Sequence, residues 1–329
     1  MKKLAGLMIA AAALAAAWAL LSPYRGFEGD TYVEIPRGTG AFGIAQALTD
    51  GGVIRHPWQF WLMRATRPSA KLQAGEYRFA TAASVREVFD RIARGDIYYF
   101  EFTVPEGSNI FDIARSLETQ RVMAAEDFLN AATDPSLIRD VAPKAKTLEG
   151  FLFPSTYRLS HHTTPAQLCK RMTDEFHKEW NRLAAGQAAE VHRTVTLASL
   201  IEKETGVPEE RPLIASVFTN RLEKGMRLEC DPTTIYAALL DKRYRGAIHR
   251  SDLANANPYN TYQNAGLPPG PIANPGAQAL AAALHPAETD YLYFVVKPSG
   301  GSHHFSASIA EHEKAVEAYR HASHKRKTN

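Results

Sequence analysis

Ile35-Pro36-Arg37-Gly38, followed by Phe42, Ile44-Ala45, Leu48 and Val53-Ile54, returns further along the chain as Val104-Pro105-Glu106-Gly107, followed by Phe111, Ile113-Ala114, Leu117 and Val122-Met123. Every matched position is displaced by the same 69 residues (35 to 104, 42 to 111, 53 to 122), so shared composition alone does not produce the match. Each copy reads as a short strand, a turn at Pro-x-Gly and then a helix. Phe42, Ala45 and Leu48, and again Phe111, Ala114 and Leu117, recur at the three-residue step that places them on one helical face. A second helix is expected to begin near His56 in the first copy and near Ala124 in the second. Between the copies, Ala74–Phe79 reads as a strand, and Ser84 with Glu87 forms a capping box that opens a helix to about Ala93. Short strands interleaved with short helices predict an α+β fold.

The strand–helix–helix unit, opened by Pro-x-Gly-x-x-x-x-x-Ile-Ala in both copies, resembles a LysM module. That resemblance implies binding to polymers that contain N-acetylglucosamine; the same unit would also serve as a structural spacer. Ahead of the repeat, Leu4–Leu21 carries no charged residue and is long enough, at about 18 apolar residues, to reach the lower limit for a membrane-spanning helix. Lys2 and Lys3 precede it, which keeps the N-terminus cytoplasmic and sends the remainder across. An Ala-x-Ala at Ala15-Ala16-Ala17 lies inside the apolar run, and the run leads into Ser22-Pro23-Tyr24-Arg25 without a small-residue cleavage site. An uncleaved single-pass anchor is therefore expected rather than a signal peptide. The expected organisation is a cytoplasmic end at 1–3, an anchor at 4–21, a LysM-like region at 22–145, a mixed helix–sheet catalytic domain at 146–322 and a basic tail at 323–329.

A chain of 329 residues can build two or three cores, and 45% hydrophobic with 22% charged residues excludes a largely disordered protein. The formal charge of +3 is too small to point to a nucleic-acid partner, and the basic run His324-Lys325-Arg326-Lys327 reads as a solvated end. Cys169 and Cys230 match no zinc spacing and are expected as buried free thiols. His161-His162 and His303-His304 are adjacent pairs rather than i, i+4 ligands, so neither a metal nor a cofactor is expected.

Beyond Leu148 the sequence changes texture. Leu148-Glu149-Gly150-Phe151-Leu152-Phe153-Pro154, Cys230-Asp231-Pro232-Thr233-Thr234-Ile235-Tyr236, Asn257-Pro258-Tyr259-Asn260-Thr261-Tyr262 and Gly266-Leu267-Pro268-Pro269-Gly270 are stiff polar-aromatic clusters. Pro and Gly at this density fix loop conformation. Interleaved Tyr, Asn and Thr suit either a sugar polymer or a tightly turned structural loop. In Val195–Gly206, Leu197, Leu200 and Ile201 lie at i, i+3 and i+4, and Glu204 takes the next place on that stripe at i+7. Glu202 lies about 200° around the helix from Glu204, so the two carboxyls cannot share one cleft. A carboxyl in apolar surroundings holds its proton to higher pH, as a general acid requires; it can equally be a buried ion-pair partner.

Ser199-Leu200-Ile201-Glu202-Lys203-Glu204-Thr205 resembles the signature of the endolytic murein transglycosylases of the YceG-like family. Leu148-Glu149-Gly150 to Thr156-Tyr157, Asp231-Pro232-Thr233 and Tyr259–Tyr262 with Gly266–Gly270 resemble further blocks of the family, in its order. So do His285-Pro286, Asp290–Val295 and His304-Phe305-Ser306. Lys203-Glu204-Thr205 also looks like the Gln-Glu-Ser of lysozyme-like lytic transglycosylases, whose Glu is catalytic. The resemblance implies a lyase of the inner membrane, its bulk periplasmic, that cuts nascent glycan strands near the elongation and division synthases. It makes Glu204 the expected catalytic residue, with Glu202 as the possible second acid. Glu149, Asp231, Thr233, Tyr236, Tyr259, Asn260, Thr261 and Tyr262 are the expected substrate-binding residues. Asp231 could act as an electrostatic partner or merely cap the helix through Tyr236. A glycan-binding scaffold without catalysis and a hydrolytic muramidase are the rival expectations.

Overall fold

A computed structural model describes residues 2–185 and 189–328, and of residues 2, 5, 12 and 323–328 the backbone alone. The basic tail expected at 323–329 thus lies outside the described side chains. Contacts divide the chain into one unit of Met1–Glu101 with Arg158–Ser160, and a second of Phe102–Tyr157 with His161–Asn329. The architecture is α+β, mostly helical, with two-stranded sheets.

In the first unit, helix α1 (Lys2–Leu21) precedes strand β1 (Thr31–Ile35), helices α2 (Ala41–Asp50) and α3 (Pro57–Thr66), strand β2 (Gly75–Phe79) and helix α4 (Val85–Arg94). β1 and β2 pair antiparallel, with Val33 opposite Tyr77 and Ile35 opposite Gly75. Val33, Ile35, Tyr77 and Phe79 from the sheet meet Leu48, Phe60 and Phe89 from the helices in one buried core. α4 starts as expected: Ser84 accepts from the Glu87 N–H, and the Glu87 carboxylate accepts from the Ser84 N–H at 2.7 Å. Phe42 departs from the expected inner face. Ile44, Ala45 and Leu48 fill that face, and Phe42 is exposed, stacked on Trp61. Among the described residues no helix is long and apolar enough to cross a membrane, so the expected anchor is not established by the fold; residues 5 and 12 of that run are outside the described side chains.

The other copy of the repeat follows, with β3 (Phe100–Thr103) straddling the division and α5 (Ile110–Thr119) and α6 (Ala125–Ala132) in the second unit. α5 occupies the span of α2 displaced by the repeat length, and the turn glycines Gly38 and Gly107 both have left-handed φ, 86° and 74°. That backbone region explains why each copy needs glycine there. β4 (Thr156–Leu159) then pairs with β3. The remaining elements are α7 (Pro165–Leu183), α8 (Val191–Glu204), α9 (Arg211–Glu223), α10 (Asp231–Leu240), α11 (Arg250–Leu253), α12 (Ala277–Leu284), β5 (Tyr293–Val296), β6 (His303–Ser306) and α13 (Ile309–Thr328). α8 runs through the middle, packed against α9 and α12, with Val195 to Ile201 buried on every side.

The division at residue 101 differs from the boundary expected near 145, because the second copy is hydrogen-bonded into the later elements. The Gly107 N–H donates to the Asn274 carbonyl (2.9 Å), and the Ile110 N–H at the start of α5 donates to Glu149 (3.0 Å). Asn274 is the hub of this junction. Its Oδ1 accepts from the Gly150 and Leu152 N–H groups at 2.9 Å each, and its Nδ2 donates to Ser108 O and Glu149 Oε1. Asn274→Ala should orphan two buried N–H groups and lower stability by about 2–4 kcal/mol, read from the urea midpoint.

Candidate active site

α8 ends at Glu204 because Thr205 turns extended, at φ −142° and ψ 138°. Thr205 Oγ1 accepts from the Val207 N–H (3.0 Å) and donates to Glu210 (3.2 Å). Glu210 in turn accepts from His303 of β6 twice, through the backbone N–H (2.6 Å) and the ring Nδ1 (2.7 Å). The end of the helix is thereby pinned to the β5–β6 hairpin. The His303 contacts hold the Glu210 carboxyl below the usual range, against the opposing pull of its burial.

Glu204 itself is half-buried and lines a pocket of about 290 Å³. Phe218 and Phe294 supply apolar wall, and Arg221, Cys230, Asp231 and Tyr262 supply polar groups. Burial pushes the Glu204 carboxyl up, and the negative charge of Asp231 pushes the same way. The Cys230 thiol, donating a hydrogen bond to it, and the charges of His303 and Arg221 pull it back down, without overcoming burial. Asp231 does not cap α10: it is the first residue of that helix, and its Oδ1 accepts from the Tyr262 hydroxyl at 2.7 Å. Cys230 and Arg221 escaped the sequence reading. Nothing in the spacing marks a buried thiol as a donor to a carboxyl, and Arg221 arrives from α9 only through packing. Both cysteines are buried free thiols, as expected.

Glu202 faces a different set of groups. Its side chain is only 6% exposed, with Oε1 3.0 Å from Arg211 Nη2 and Oε2 accepting from the Gly276 N–H at 3.0 Å. Arg211 is also buried and donates to Gln278. The carboxyl is locked into a structural ion pair.

The expected substrate-binding residues separate into three groups. Asp231 and Tyr262 line the pocket. Thr233, Asn260 and Thr261 are fully buried and engage one another's surroundings: Thr233 Oγ1 donates to the Cys230 carbonyl (2.6 Å), Thr261 Oγ1 accepts from the Cys230 N–H (3.0 Å), and Asn260 Nδ2 donates to the carbonyls of Asp252, Leu253 and Asn255. They brace the pocket-forming loop from behind. Glu149 is also buried, accepting from Ile110 N–H, Asn274 Nδ2 and the Tyr236 hydroxyl (2.9 Å). Burial pushes it up to about 8 despite these donors. Tyr236 is buried with it, and half-buried Tyr259 packs on the Tyr236 ring at 5.1 Å. Among the described residues no group of three His, Cys, Asp or Glu side chains could hold a metal ion.

Known proteins resemble this chain over most of its length. A Bacillus subtilis (strain 168) protein named endolytic murein transglycosylase is 34% identical over 306 residues, covering 87% of this chain and 84% of its own. A protein of the same name from Streptococcus pneumoniae serotype 2 is 28% identical over 317 residues, which cover 86% of this chain and 57% of the relative. The 2.6 Å crystal structure of a yceG-like protein from Listeria monocytogenes matches with a TM-score of 0.58 at 32% identity, covering 88% of this chain and 99% of that one. The match to the YceG-like family runs from residue 33 to residue 318, through both units and the whole of the pocket around Glu204, and the chain belongs to that family.

Proposed function

We propose that the protein is an endolytic peptidoglycan lytic transglycosylase in which Glu204 serves as both acid and base. The observation that carries this reading is the contrast between two carboxyls on one helix. Glu204 opens onto a pocket with its proton affinity raised, whereas Glu202 is tied to Arg211 and Gly276. Protonated Glu204 donates to the glycosidic oxygen between N-acetylmuramic acid and N-acetylglucosamine, and the bond to the muramoyl anomeric carbon breaks. The resulting carboxylate takes the proton of the muramoyl 6-hydroxyl as that oxygen closes on the anomeric carbon. The products are a 1,6-anhydro end and a free 4-hydroxyl, with no water consumed. An intramolecular nucleophile is already positioned, so a second carboxylate to activate water is not required. Burial first and the charge of Asp231 second keep Glu204 protonated, and Arg221 with the Cys230 thiol steadies the carboxylate once the proton has left.

In this reading the cuts fall inside nascent strands and so end their elongation, beside the synthases that make them. The LysM-like repeat assists strand binding and takes no part in the chemistry, since Glu204 and Asp231 lie beyond it. α1 is the membrane anchor, with the body of the chain periplasmic. Supporting this, most of its described large apolar side chains stand exposed, Leu7 at 72%, Leu14 at 72% and Trp18 at 65%, while Leu20 packs on the core of the first unit. Apolar surface of that extent needs a non-aqueous partner.

Mass spectrometry of products from purified glycan strands tests the chemistry. Anhydro ends are expected; reducing ends would make the protein a muramidase with Asp231 as the candidate base, and intact strands would make it a binding scaffold. A pH profile tests the assignment of the acid. The reaction needs protonated Glu204, so the rate should fall as pH rises through its raised pKa. Asp231→Asn removes a charge that raises that pKa and should move the alkaline limb to lower pH. Cys230→Ala removes a donor that lowers it and should move the limb to higher pH. Limbs unmoved in both variants would detach the profile from Glu204.

A further inference from the structure

α3 has two faces of opposite character. Gln59, Phe60 and Met63 are buried, whereas Trp58, Trp61 and Leu62, spaced i, i+3 and i+4, remain 43%, 39% and 36% exposed. Phe42 of α2, 68% exposed, widens this stripe by stacking on Trp61, with ring centroids 5.0 Å apart and planes 18° apart. Single exposed apolar residues are ordinary; four contiguous ones, three of them aromatic, are not. The stripe also has a neighbour. Gln59 Nε2 donates to the Ala19 carbonyl at 2.6 Å, so the C-terminal end of α1 is fastened to α3 beside the stripe. At that end α1 itself exposes Trp18 and Leu21.

We propose that Phe42, Trp58, Trp61 and Leu62 form a lipid-contacting surface that lies at the headgroup level of the bilayer entered by α1; this rests on reading α1 as the anchor. Tryptophan favours that depth because its ring is largely apolar while its N–H can still meet water or a headgroup. A sugar platform needs hydrogen-bonding groups around its flat faces. Phe42 and Leu62 bring none, and one face of Trp61 is already covered by Phe42. A single helix would leave the first unit free to swivel. A second contact, made by the stripe, holds it at one tilt on the membrane.

The test uses the full chain reconstituted in vesicles of phosphatidylethanolamine and phosphatidylglycerol, with brominated lipids as quenchers of tryptophan emission. Trp180 is buried and gives a constant background. In Trp18→Phe the signal reports on Trp58 and Trp61; in the double variant Trp58→Phe, Trp61→Phe it reports on Trp18. Trp18, one residue from the Ala19 that binds α3, should lose emission to bromines on the upper part of the acyl chains. Trp58 and Trp61 should lose it chiefly to bromines near the headgroups, and Phe42→Ser with Leu62→Ser should reduce that loss while leaving Trp18 unchanged. Quenching of Trp18 alone overturns the surface and leaves the anchor standing. Quenching of neither overturns the anchor and this inference with it. Trp58 and Trp61 that ignore lipid but respond to added glycan strands would make the stripe a sugar platform, which also overturns it.

Discussion

Glu204→Gln should lower the rate of anhydro-end formation by about 100- to 10,000-fold at matched folded concentration, the range that general acid–base catalysis commonly contributes. The replacement keeps the shape of the side chain and an acceptor for the Cys230 thiol, but it can neither give nor retake a proton. Loss of binding is not the expected cause, so the affinity for glycan strands should stay near that of the parent. Stability should change in a direction that marks the group. The folded state raises the Glu204 pKa above its unfolded value, by burial first and by Asp231 second. The protonated form is therefore favoured by folding. Below the unfolded pKa both states are protonated and the group carries no penalty. As pH climbs above that value and through the folded pKa, the unfolded chain ionises first and stability is lost. Glu204→Gln should remove that loss, melting at or above the parent near neutral pH and converging with it in acid. A variant that retained turnover within a few-fold of the parent would exclude Glu204 as the acid.

Much of the scaffold was legible because its signals are local. A capping box, a Pro-x-Gly turn needing left-handed φ, and a three-residue apolar step act within a few neighbours, and the last two recur at the repeat length. The register of α2 and α5 followed from that alone. The boundary between the units did not. It depends on Asn274 reaching back to Gly107, Ser108 and Gly150, contacts separated by more than 100 residues that no periodicity announces. The candidate site divides the same way. The helical angle between Glu202 and Glu204 is a property of any helix, so their separation could be read directly. The apolar stripe alone does not single out Glu204, since Val195 to Ile201 of α8 are all buried and burial by itself does not distinguish the two carboxyls. Their partners do. The polar loop residues show the same dependence on folding: Thr233, Asn260 and Thr261 have the chemistry of sugar ligands, and in the fold they hydrogen-bond within the turns they sit in.

Arg211→Met should destabilise the second unit by about 3–5 kcal/mol, the cost of leaving a buried charge without its counterion. Among the described residues Glu202 would keep only the Gly276 N–H, at 3.0 Å, in a site where its side chain has almost no access to water. The reverse change is milder. After Glu202→Gln, the Arg211 guanidinium retains Gln278 and the half-exposed Glu106 at 3.8 Å, though its Nε already lacks a hydrogen-bond partner among the described residues. A loss of about 1–3 kcal/mol follows, that of one imperfectly satisfied buried polar group. Replacing both, Glu202→Leu with Arg211→Met, should cost less than the two single losses added together, because no charge is then stranded. Denaturant unfolding of the three variants measures the coupling, and the anhydro-product assay on the folded fraction gives the second readout. Glu202→Gln should turn over near the parent rate per folded molecule. If it instead lost turnover as Glu204→Gln is expected to, while the ion pair showed no coupling in stability, the roles of the two carboxyls would have to be exchanged.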